Sequence, residues 1–305
     1  MAAGLSRRRA CALLGLGRRH FVPPAGPARQ ALADAPVEAA LRAAIARHPG
    51  WGIRKYHHYL RRQAEQAATA AAATAAAATA AAATAAATTA AATTAAAATA
   101  PIRRVNHKRL WRIYCAAGLQ LPRRPKKRLP ARTRLALAVP PQPTVCWSMD
   151  FTSDALTDGR RFRTFTLVDD FHRAALALEV DFSLPAARVI RTLTRLIERH
   201  GKPTRLRCDN GPEFIATTLQ DWCAEQHITL AWIQPGKPTQ NAYIERFNGT
   251  YRRELLDTTA FATLRQAREL SEQWQHDYNY ERPHEALDNL TPMQFLAQHR
   301  AKAST

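Results

Sequence analysis

The spacing of apolar residues changes near residue 143, and this change predicts two kinds of structure along the chain. Before it, apolar residues recur every three or four positions, as they do on the buried side of short amphipathic helices. Three helices are predicted: one that starts at Pro36, one that follows the turn at Gly50-Trp51-Gly52, and one that Asn106 caps and Gly118 ends. The residues of the third helix that face inward are Leu110, Ile113, Tyr114 and Ala117.

From Pro143 onward the pattern favours strands. Three consecutive strands are predicted in V-C-W-S-M-D-F-T, F-R-T-F-T-L-V-D-D-F and A-A-L-A-L-E-V, with turns at Asp158-Gly159 and His172-Arg173. A helix from Ser183 to Gly201 follows, and then a strand in T-R-L-R-C-D, a helix in P-E-F-I-A-T-T-L-Q-D-W-C-A-E-Q-H and a strand in I-T-L-A-W-I. This order predicts an α/β fold of the ribonuclease-H-like class, a mixed five-stranded sheet with flanking helices, preceded by a small all-α region.

Residues 67–100 contain only Ala and Thr, mostly in units close to A-A-A-A-T. Ala favours helix and Thr opposes it slightly, so an isolated, partly frayed helix is expected, with no large apolar face to pack on a core. We interpret the tract as a low-complexity insertion. The predicted regions are therefore 1–66 (basic, helical), 67–100 (insertion), 101–142 (a further helix and a basic linker) and 143–305 (the mixed-sheet region with C-terminal helices).

The chain has 44 Lys and Arg residues against 24 Asp and Glu, a net charge of +20, which indicates a polyanionic partner. The excess lies before residue 143, whereas the rest of the chain is nearly neutral. Helices joined by a tight turn, with basic residues on the exposed side, are typical of helix-turn-helix DNA binders, although an ordinary basic helical bundle would have the same composition. The predicted DNA contacts are Lys108, Arg109 and Arg112 on the third helix and Arg123, Arg124, Lys126, Lys127 and Arg128 in the linker that follows.

The five cysteines form no C-x-x-C pair, which argues against a disulfide framework and a zinc knuckle and favours a reducing compartment. His57 and His58 are adjacent, whereas zinc ligands on a helix stand three or four residues apart. The apolar run after Arg7–Arg9 is too short for a convincing export signal, and no stretch has the length and character of a membrane span. We expect a cytoplasmic protein without membrane contact.

Three carboxylates stand in distinctive local settings: Asp150 within a strand, Asp209 at the end of another, and Glu245 on a helix, with thirty-five residues between the last two. Two divalent cations held by such hard oxygen ligands, Mg²⁺ or Mn²⁺, suit the cleavage and transfer of phosphodiesters. Each carboxylate alone has a simpler explanation. Asp150 could pair with an Arg, Asp209-Asn210-Gly211 could be a turn, and Glu245 could be a solvated helix charge.

The helix that carries Glu245 has an apolar stripe, and Glu245, Asn248 and Arg252 recur along an adjoining face, where the last two could contact DNA. The apolar stripe consists of Ile244, Phe247, Tyr251 and Leu255. The preceding Q-P-G-K-P-T-Q is rich in turn formers and offers Lys237 as a phosphate contact. Asp169 and Asp170 are rival carboxylates, but their position near a turn favours capping or structural roles.

Several long motifs resemble those of the second-reading-frame (OrfB-type) transposases of the insertion-sequence-three family, which have a retroviral-integrase-like core. The motifs are W-S-M-D-F-T, V-D-D-F, C-D-N-G-P-E-F, P-G-K-P-T-Q-N-A-Y-I-E-R-F-N-G-T-Y-R-R-E, Y-N-Y-E-R-P-H-E-A-L, H-P-G-W-G-I-R-K and S-R-R-R-A-C-A-L-L-G-L. The resemblance implies that Asp150, Asp209 and Glu245 bind two Mg²⁺ or Mn²⁺ ions and that Arg252 is the basic residue seven positions after the Glu.

The resemblance also implies double-stranded DNA partners (element terminal repeats and target DNA), a homo-oligomer on DNA in the bacterial nucleoid, and fusion to or association with an upstream-frame protein. The Ala/Thr tract departs from the family pattern because it splits the helix-turn-helix region between Arg62 and Val105. The leading hypothesis is a transposase that cuts element ends and joins strands. The alternatives are a nuclease that never joins strands and an inactive DNA-binding remnant or repressor.

Overall fold

A computed structural model describes residues 27–82, 105–121, 139–209, 211, 217–233 and 241–303. They form two compact units. The described residues up to Ala43 and from Ala64 to Leu119 make the first unit, and those from Ala44 to Gln63 and from Gln120 onward make the second. The predicted boundaries at residues 66 and 142 differ from this division. None of the described helices combines the length and the apolar character needed to cross a membrane.

Three helices contribute to the first unit: α1 (Pro27–Arg47), α2 (Ile53–Ala82) and α3 (His107–Ala116). The prediction that α1 starts at Pro36 was wrong, because Pro36 lies inside a longer helix. A proline removes one backbone hydrogen bond, and the Ala-rich residues on both sides favour helix enough to continue it. The start of α2 agrees with the prediction, and α2 continues into the Ala/Thr tract.

Helix α3 has the predicted caps and the predicted buried face, except that Ala117 lies just after the helix and is only half-buried. The Asn106 side chain accepts a hydrogen bond from the Lys108 backbone N–H at 3.2 Å, which satisfies a donor of the first turn. Gly118 has a φ of 66°, in the left-handed region that ends many helices. The buried residues of α3 are Leu110, Ile113 and Tyr114.

The second unit contains the predicted mixed sheet. Its strands are β1 (Cys146–Ala155), β2 (Arg161–Asp169), β3 (Ala175–Asp181), β4 (Arg205–Cys208) and β5 (Thr229–Trp232). The spatial order is β3-β2-β1-β4-β5; the first three strands are antiparallel, and β4 and β5 run parallel to β1. Gly159 and Arg173, with φ of 85° and 61°, lie at the two predicted turns. This topology confirms the predicted fold class.

Helices cover both faces of the sheet and bury two separate apolar clusters. They are α4 (Ala186–His200), α5 (Thr217–Glu225), α6 (Ala242–Glu254) and α7 (Leu264–Tyr280). The last helix, α8 (Pro292–Ala303), packs against α7. The predicted start of α5 at Pro212 lies outside the described residues. Strand alternation sends Trp147 and Met149 of β1 into the cluster with α4 and α5, so the intervening residues face α6. The predicted stripe on α6, Ile244, Phe247, Tyr251 and Leu255, is buried in the second cluster.

Candidate active site

Asp150 and Asp209 lie side by side on adjacent strands. The parallel pairing of β1 with β4 sets Ser148 opposite Arg207, and two residues further along each strand come Asp150 and Asp209. Paired strands lie roughly 4.8 Å apart, and residues in register point to the same face of a sheet. The two carboxylates therefore extend from the same face, the one that α6 covers.

Helix α6 brings Glu245 to the same place. The Asn248 side chain donates a hydrogen bond from Nδ2 to Oδ2 of Asp150 at 2.8 Å, and Glu245 lies one helical turn before Asn248. The pKa of Asp150 is raised to about 6, mainly by burial and also by the negative charges of Asp209 and Glu245. Hydrogen bonds from the Phe151 backbone N–H and from Asn248 oppose this shift. The three carboxylates thus share one electrostatic neighbourhood.

None of the three carboxylates forms an ion pair with any other residue that the structure describes. The rival carboxylates have partners, as predicted. Asp170 is fully buried and pairs with Arg207 at 2.7 Å while it accepts a hydrogen bond from Ser148 at 2.7 Å. Asp169 accepts hydrogen bonds from the Thr144 and Phe171 backbone N–H groups and from Trp147 Nε1.

The donor set of the three carboxylates fits divalent cations. Asp150 Oδ1 accepts from the Phe151 N–H at 2.7 Å, and Asp209 Oδ1 accepts from the Gly211 N–H at 3.1 Å. These bonds orient the groups but leave most of their lone pairs available, and the exposed Glu245 has no hydrogen-bond or ion-pair partner among the described residues. Hard carboxylate oxygens without a competing Arg or Lys are ligands that suit Mg²⁺ and Mn²⁺.

Arg252 lies against β1. Its guanidinium donates hydrogen bonds to the Ser153 carbonyl at 2.7 Å and to Thr152 Oγ1 at 3.2 Å, and it lies 3.9 Å from Asp154. The side chain is still 41 % exposed, so part of its donor set faces solvent. Asn248 and Arg252 thus share the α6 face that the sequence predicted, but both already contact β1.

The remaining predicted DNA contacts divide into three groups. Lys108 is exposed on α3. Arg109 and Arg112 both bind Asp34 of α1, at 2.8 and 2.6 Å, an arrangement that sequence reasoning missed. The only available signal was that acidic residues are rare before residue 143. Six predicted contacts lie outside the described residues: Arg123, Arg124, Lys126, Lys127, Arg128 and Lys237.

The Asn248–Asp150 contact predicts that Asn248 orients a carboxylate. Asn248→Ala removes a hydrogen bond to a charged group, a loss of roughly 1.5–3 kcal/mol, so we expect a metal-dependent cleavage rate about ten- to a hundredfold lower. DNA affinity should change little, because the amide already contacts Asp150. Single-turnover kinetics and a binding titration check the two expectations. A large loss of DNA affinity with an unchanged cleavage rate would instead favour the DNA-contact role.

Comparisons with known proteins identify the family of this chain. One integrase core domain model matches residues 140–238, and a second matches residues 226–292. An insertion element IS407 protein from Burkholderia multivorans is 46% identical over 198 residues, covering 65% of this chain and 72% of the relative. An insertion element IS476 protein from Xanthomonas euvesicatoria is 35% identical over 300 residues, covering 98% of this chain and 74% of the relative. The chain belongs to the integrase-core family of insertion-element proteins.

Membership in this family confirms the resemblance that the motifs indicated. Among solved structures, the HTLV-2 integrase catalytic core domain in complex with magnesium matches with a TM-score of 0.41 and 21% identity, over 50% of this chain and 96% of that one. A simian T-cell lymphotropic virus intasome matches with a TM-score of 0.43 and 19% identity, over 66% of this chain and 69% of that one.

Proposed function

We propose that this integrase-core protein is a transposase that cuts the ends of its insertion element and joins them to target DNA. The observation that carries the proposal is the unpaired state of three convergent carboxylates, Asp150, Asp209 and Glu245, beside two rivals that have structural partners. Uncompensated negative charge in a partly buried cluster is costly unless cations bind there. A structural role for the cluster would call for an Arg or Lys partner.

In the proposed reaction, water attacks a phosphodiester at the element end and releases a 3′-hydroxyl. That hydroxyl then attacks a phosphodiester of the target DNA, forming one new P–O bond as another breaks. Mg²⁺ or Mn²⁺ ions, when bound, supply charge neutralisation at the phosphate and activation of the attacking oxygen. Asp150, Asp209 and Glu245 hold the cations, while Asn248 keeps the Asp150 carboxylate in place. Arg252 is placed to contact phosphate with its exposed donors.

The proposed partners are the terminal repeats of the element and the target DNA, bound by a homo-oligomer in the bacterial nucleoid, with association to or fusion with the upstream-frame protein. The charge distribution supports DNA binding, because basic residues dominate before residue 143. Arg109 and Arg112 share Asp34, which holds their guanidinium groups next to each other on α3. Lys108 leaves its ammonium exposed.

This proposal predicts that Lys108 contributes a phosphate contact. Lys108→Ala should weaken binding to every DNA sequence to a similar extent and reduce the slope of log K against log salt by about one. Fluorescence anisotropy at several salt concentrations measures both quantities. Arg42→Ala is a matched control, since Arg42 is an exposed basic residue on α1 that pairs with Glu38. An equal loss of affinity in both variants would indicate only a general effect of net charge.

The test of function uses purified full chain, labelled element-end DNA, a target plasmid and Mg²⁺. Labelled ends joined to the plasmid are the expected result. Cleaved ends without joined products would favour a nuclease, and binding without any metal-dependent cleavage would favour an inactive DNA-binding remnant.

A further inference from the structure

A buried histidine lies between two carboxylates, at a place separate from the triad of Asp150, Asp209 and Glu245. His48 directly follows α1, while Asp277 lies on α7 and Glu281 follows its last residue. Asp277 and Glu281 are four positions apart, so they lie on one face of the helix, one turn above the other. All three residues belong to the second compact unit.

The distances leave the polar atoms of this cluster incompletely bonded. His48 Nδ1 lies 3.8 Å from Asp277 Oδ2, and His48 Nε2 lies 3.4 Å from Glu281 Oε2. The His48 side chain is only 6% exposed, yet Nε2 has no hydrogen-bond partner among the described residues. One ligand atom from each residue can be chosen so that the three lie within 4.8 Å of one another. Three ligand atoms at this spacing can bind one ion with metal–ligand distances near 2.1 Å.

Arg47 contacts the other oxygens of the same carboxylates. Its Nη2 lies 2.9 Å from Glu281 Oε1 and 3.5 Å from Asp277 Oδ1. The other oxygens, Oδ2 and Oε2, lie toward His48, and Oε2 also accepts a hydrogen bond from the Tyr59 hydroxyl at 3.4 Å. A guanidinium in this position orients metal ligands from outside, as partners of ligating carboxylates commonly do. The two carboxylates together with Arg47 carry one excess negative charge. Burial lowers the pKa of His48, which favours the neutral imidazole that binds metals.

The imidazole is also held in place before any ion binds. It stacks on Trp51 with ring centroids 4.0 Å apart and an angle of 3° between planes, and it meets the edge of Tyr59 at 5.4 Å. A cavity of about 250 Å³ borders the cluster and is lined in part by His48 and Asp277. The cavity gives room for the water ligands that would complete a coordination sphere.

We propose that His48, Asp277 and Glu281 bind a divalent transition-metal ion of the Zn²⁺ class. One nitrogen and two carboxylate ligands suit Zn²⁺, whereas Mg²⁺ prefers oxygen ligands alone. The ion would link the residues that follow α1 to the C-terminal end of α7. Its role would be to stabilise the second unit, independently of the chemistry at Asp150, Asp209 and Glu245.

The test measures Zn²⁺ binding by full-length protein from which a chelator has removed any bound metal. The parent for all variants carries Asp150→Asn and Glu245→Gln, so that the triad contributes little to Zn²⁺ binding. We expect the parent to bind one Zn²⁺ per chain and to gain thermal stability on binding. His48→Gln and Glu281→Gln should each weaken binding by roughly tenfold or more. Glu269→Gln is the matched control on the same helix, because Glu269 is 65% exposed and pairs with Arg265, away from the cluster.

Circular dichroism establishes that each variant is folded. Glu281→Gln is close in shape to the native residue, so it decides the question if His48→Gln does not fold. The proposal is overturned if the parent binds no Zn²⁺, or if Glu281→Gln binds it as tightly as the parent does. Loss of binding in Glu269→Gln would overturn the ligand set. Because the parent lacks two triad carboxylates, these results do not depend on the proposed function.

Discussion

Asp150→Asn is expected to lower the rate of element-end cleavage by about a thousandfold or more and to leave DNA affinity nearly unchanged. The carboxylate lies on β1 beside Asp209 and under Asn248, where it would hold cations. Cation stabilisation of transition-state charge contributes several kcal/mol, and each 1.36 kcal/mol is a factor of ten in rate. DNA affinity depends mainly on phosphate contacts by basic residues, which the substitution does not touch. Single-turnover cleavage and anisotropy titration measure the two effects.

The control for this variant is Asp154→Asn on the same strand and the same face of the sheet. Asp154 lies four positions after Asp150, accepts a hydrogen bond from the Ala155 backbone N–H at 2.8 Å and lies 3.9 Å from Arg252. The control makes the same chemical change outside the cluster, so its cleavage rate should stay close to that of the wild type. Equal cleavage rates for Asp150→Asn and the wild type would show that Asp150 takes no part in the reaction.

The same substitution should stabilise the fold while it removes activity. The pKa of Asp150 is about 6 in the folded protein, mainly because of burial, and near 3.9 in an unfolded chain. Because the folded-state pKa is the higher one, the group costs stability as pH rises from about 4 to above 6. Asn removes this cost, so the free energy of unfolding at pH 8 should increase by about 1–2 kcal/mol. At pH 4 the gain should nearly vanish. A structural carboxylate would show a loss of stability instead.

Glu254→Ala is expected to have the largest effect on stability, a loss of about 3–5 kcal/mol in the free energy of unfolding. The Glu254 side chain is 7% exposed and accepts hydrogen bonds from Arg282 at 2.9 and 3.0 Å, from Lys55 Nζ at 3.2 Å and from Trp51 Nε1 at 3.3 Å. Removing the carboxylate leaves Lys55 and Arg282 with unpaired charges in a largely buried place. Burial and the charge of Arg282 already lower the pKa of Lys55 to about 8, even with Glu254 present.

Urea unfolding monitored by circular dichroism measures this loss. Glu272→Ala is a suitable control, since Glu272 is an exposed acid on α7. A surface substitution of this kind should change the free energy of unfolding by less than about 0.5 kcal/mol. If Glu254→Ala costs as little as the control, the contacts of Glu254 with Trp51 and Lys55 do not bind the segment Ala44–Gln63 to α6.

Most of the features that position the candidate site could be predicted from the sequence. Strand periodicity located Asp150 and Asp209, and a 3.6-residue period on α6 separated the buried stripe from the face of Glu245, Asn248 and Arg252. Two parallel neighbouring strands then bring the first two carboxylates together, as the ribonuclease-H-like order implies.

Contacts between distant parts of the chain could not be predicted in this way. Glu254 binds Lys55, which lies 199 positions away in the sequence. No local sequence pattern around either residue indicates the other as its partner. For the same reason the sequence assigned Ala44–Gln63 to the N-terminal region, whereas its ionic and aromatic side chains belong to the second unit. The pairing of Arg109 and Arg112 with Asp34 was missed because the basic residues on this helix face were all interpreted as DNA contacts.

The most direct test of the cation site counts bound Mn²⁺ ions by electron paramagnetic resonance, in full-length protein mixed with element-end DNA. The wild type should bind two more ions per chain than a variant with Asp150→Asn, Asp209→Asn and Glu245→Gln, because the three carboxylates provide the ligands. Equal numbers of Mn²⁺ ions in the two proteins, both folded and bound to DNA, would contradict the assignment of these carboxylates as a metal site.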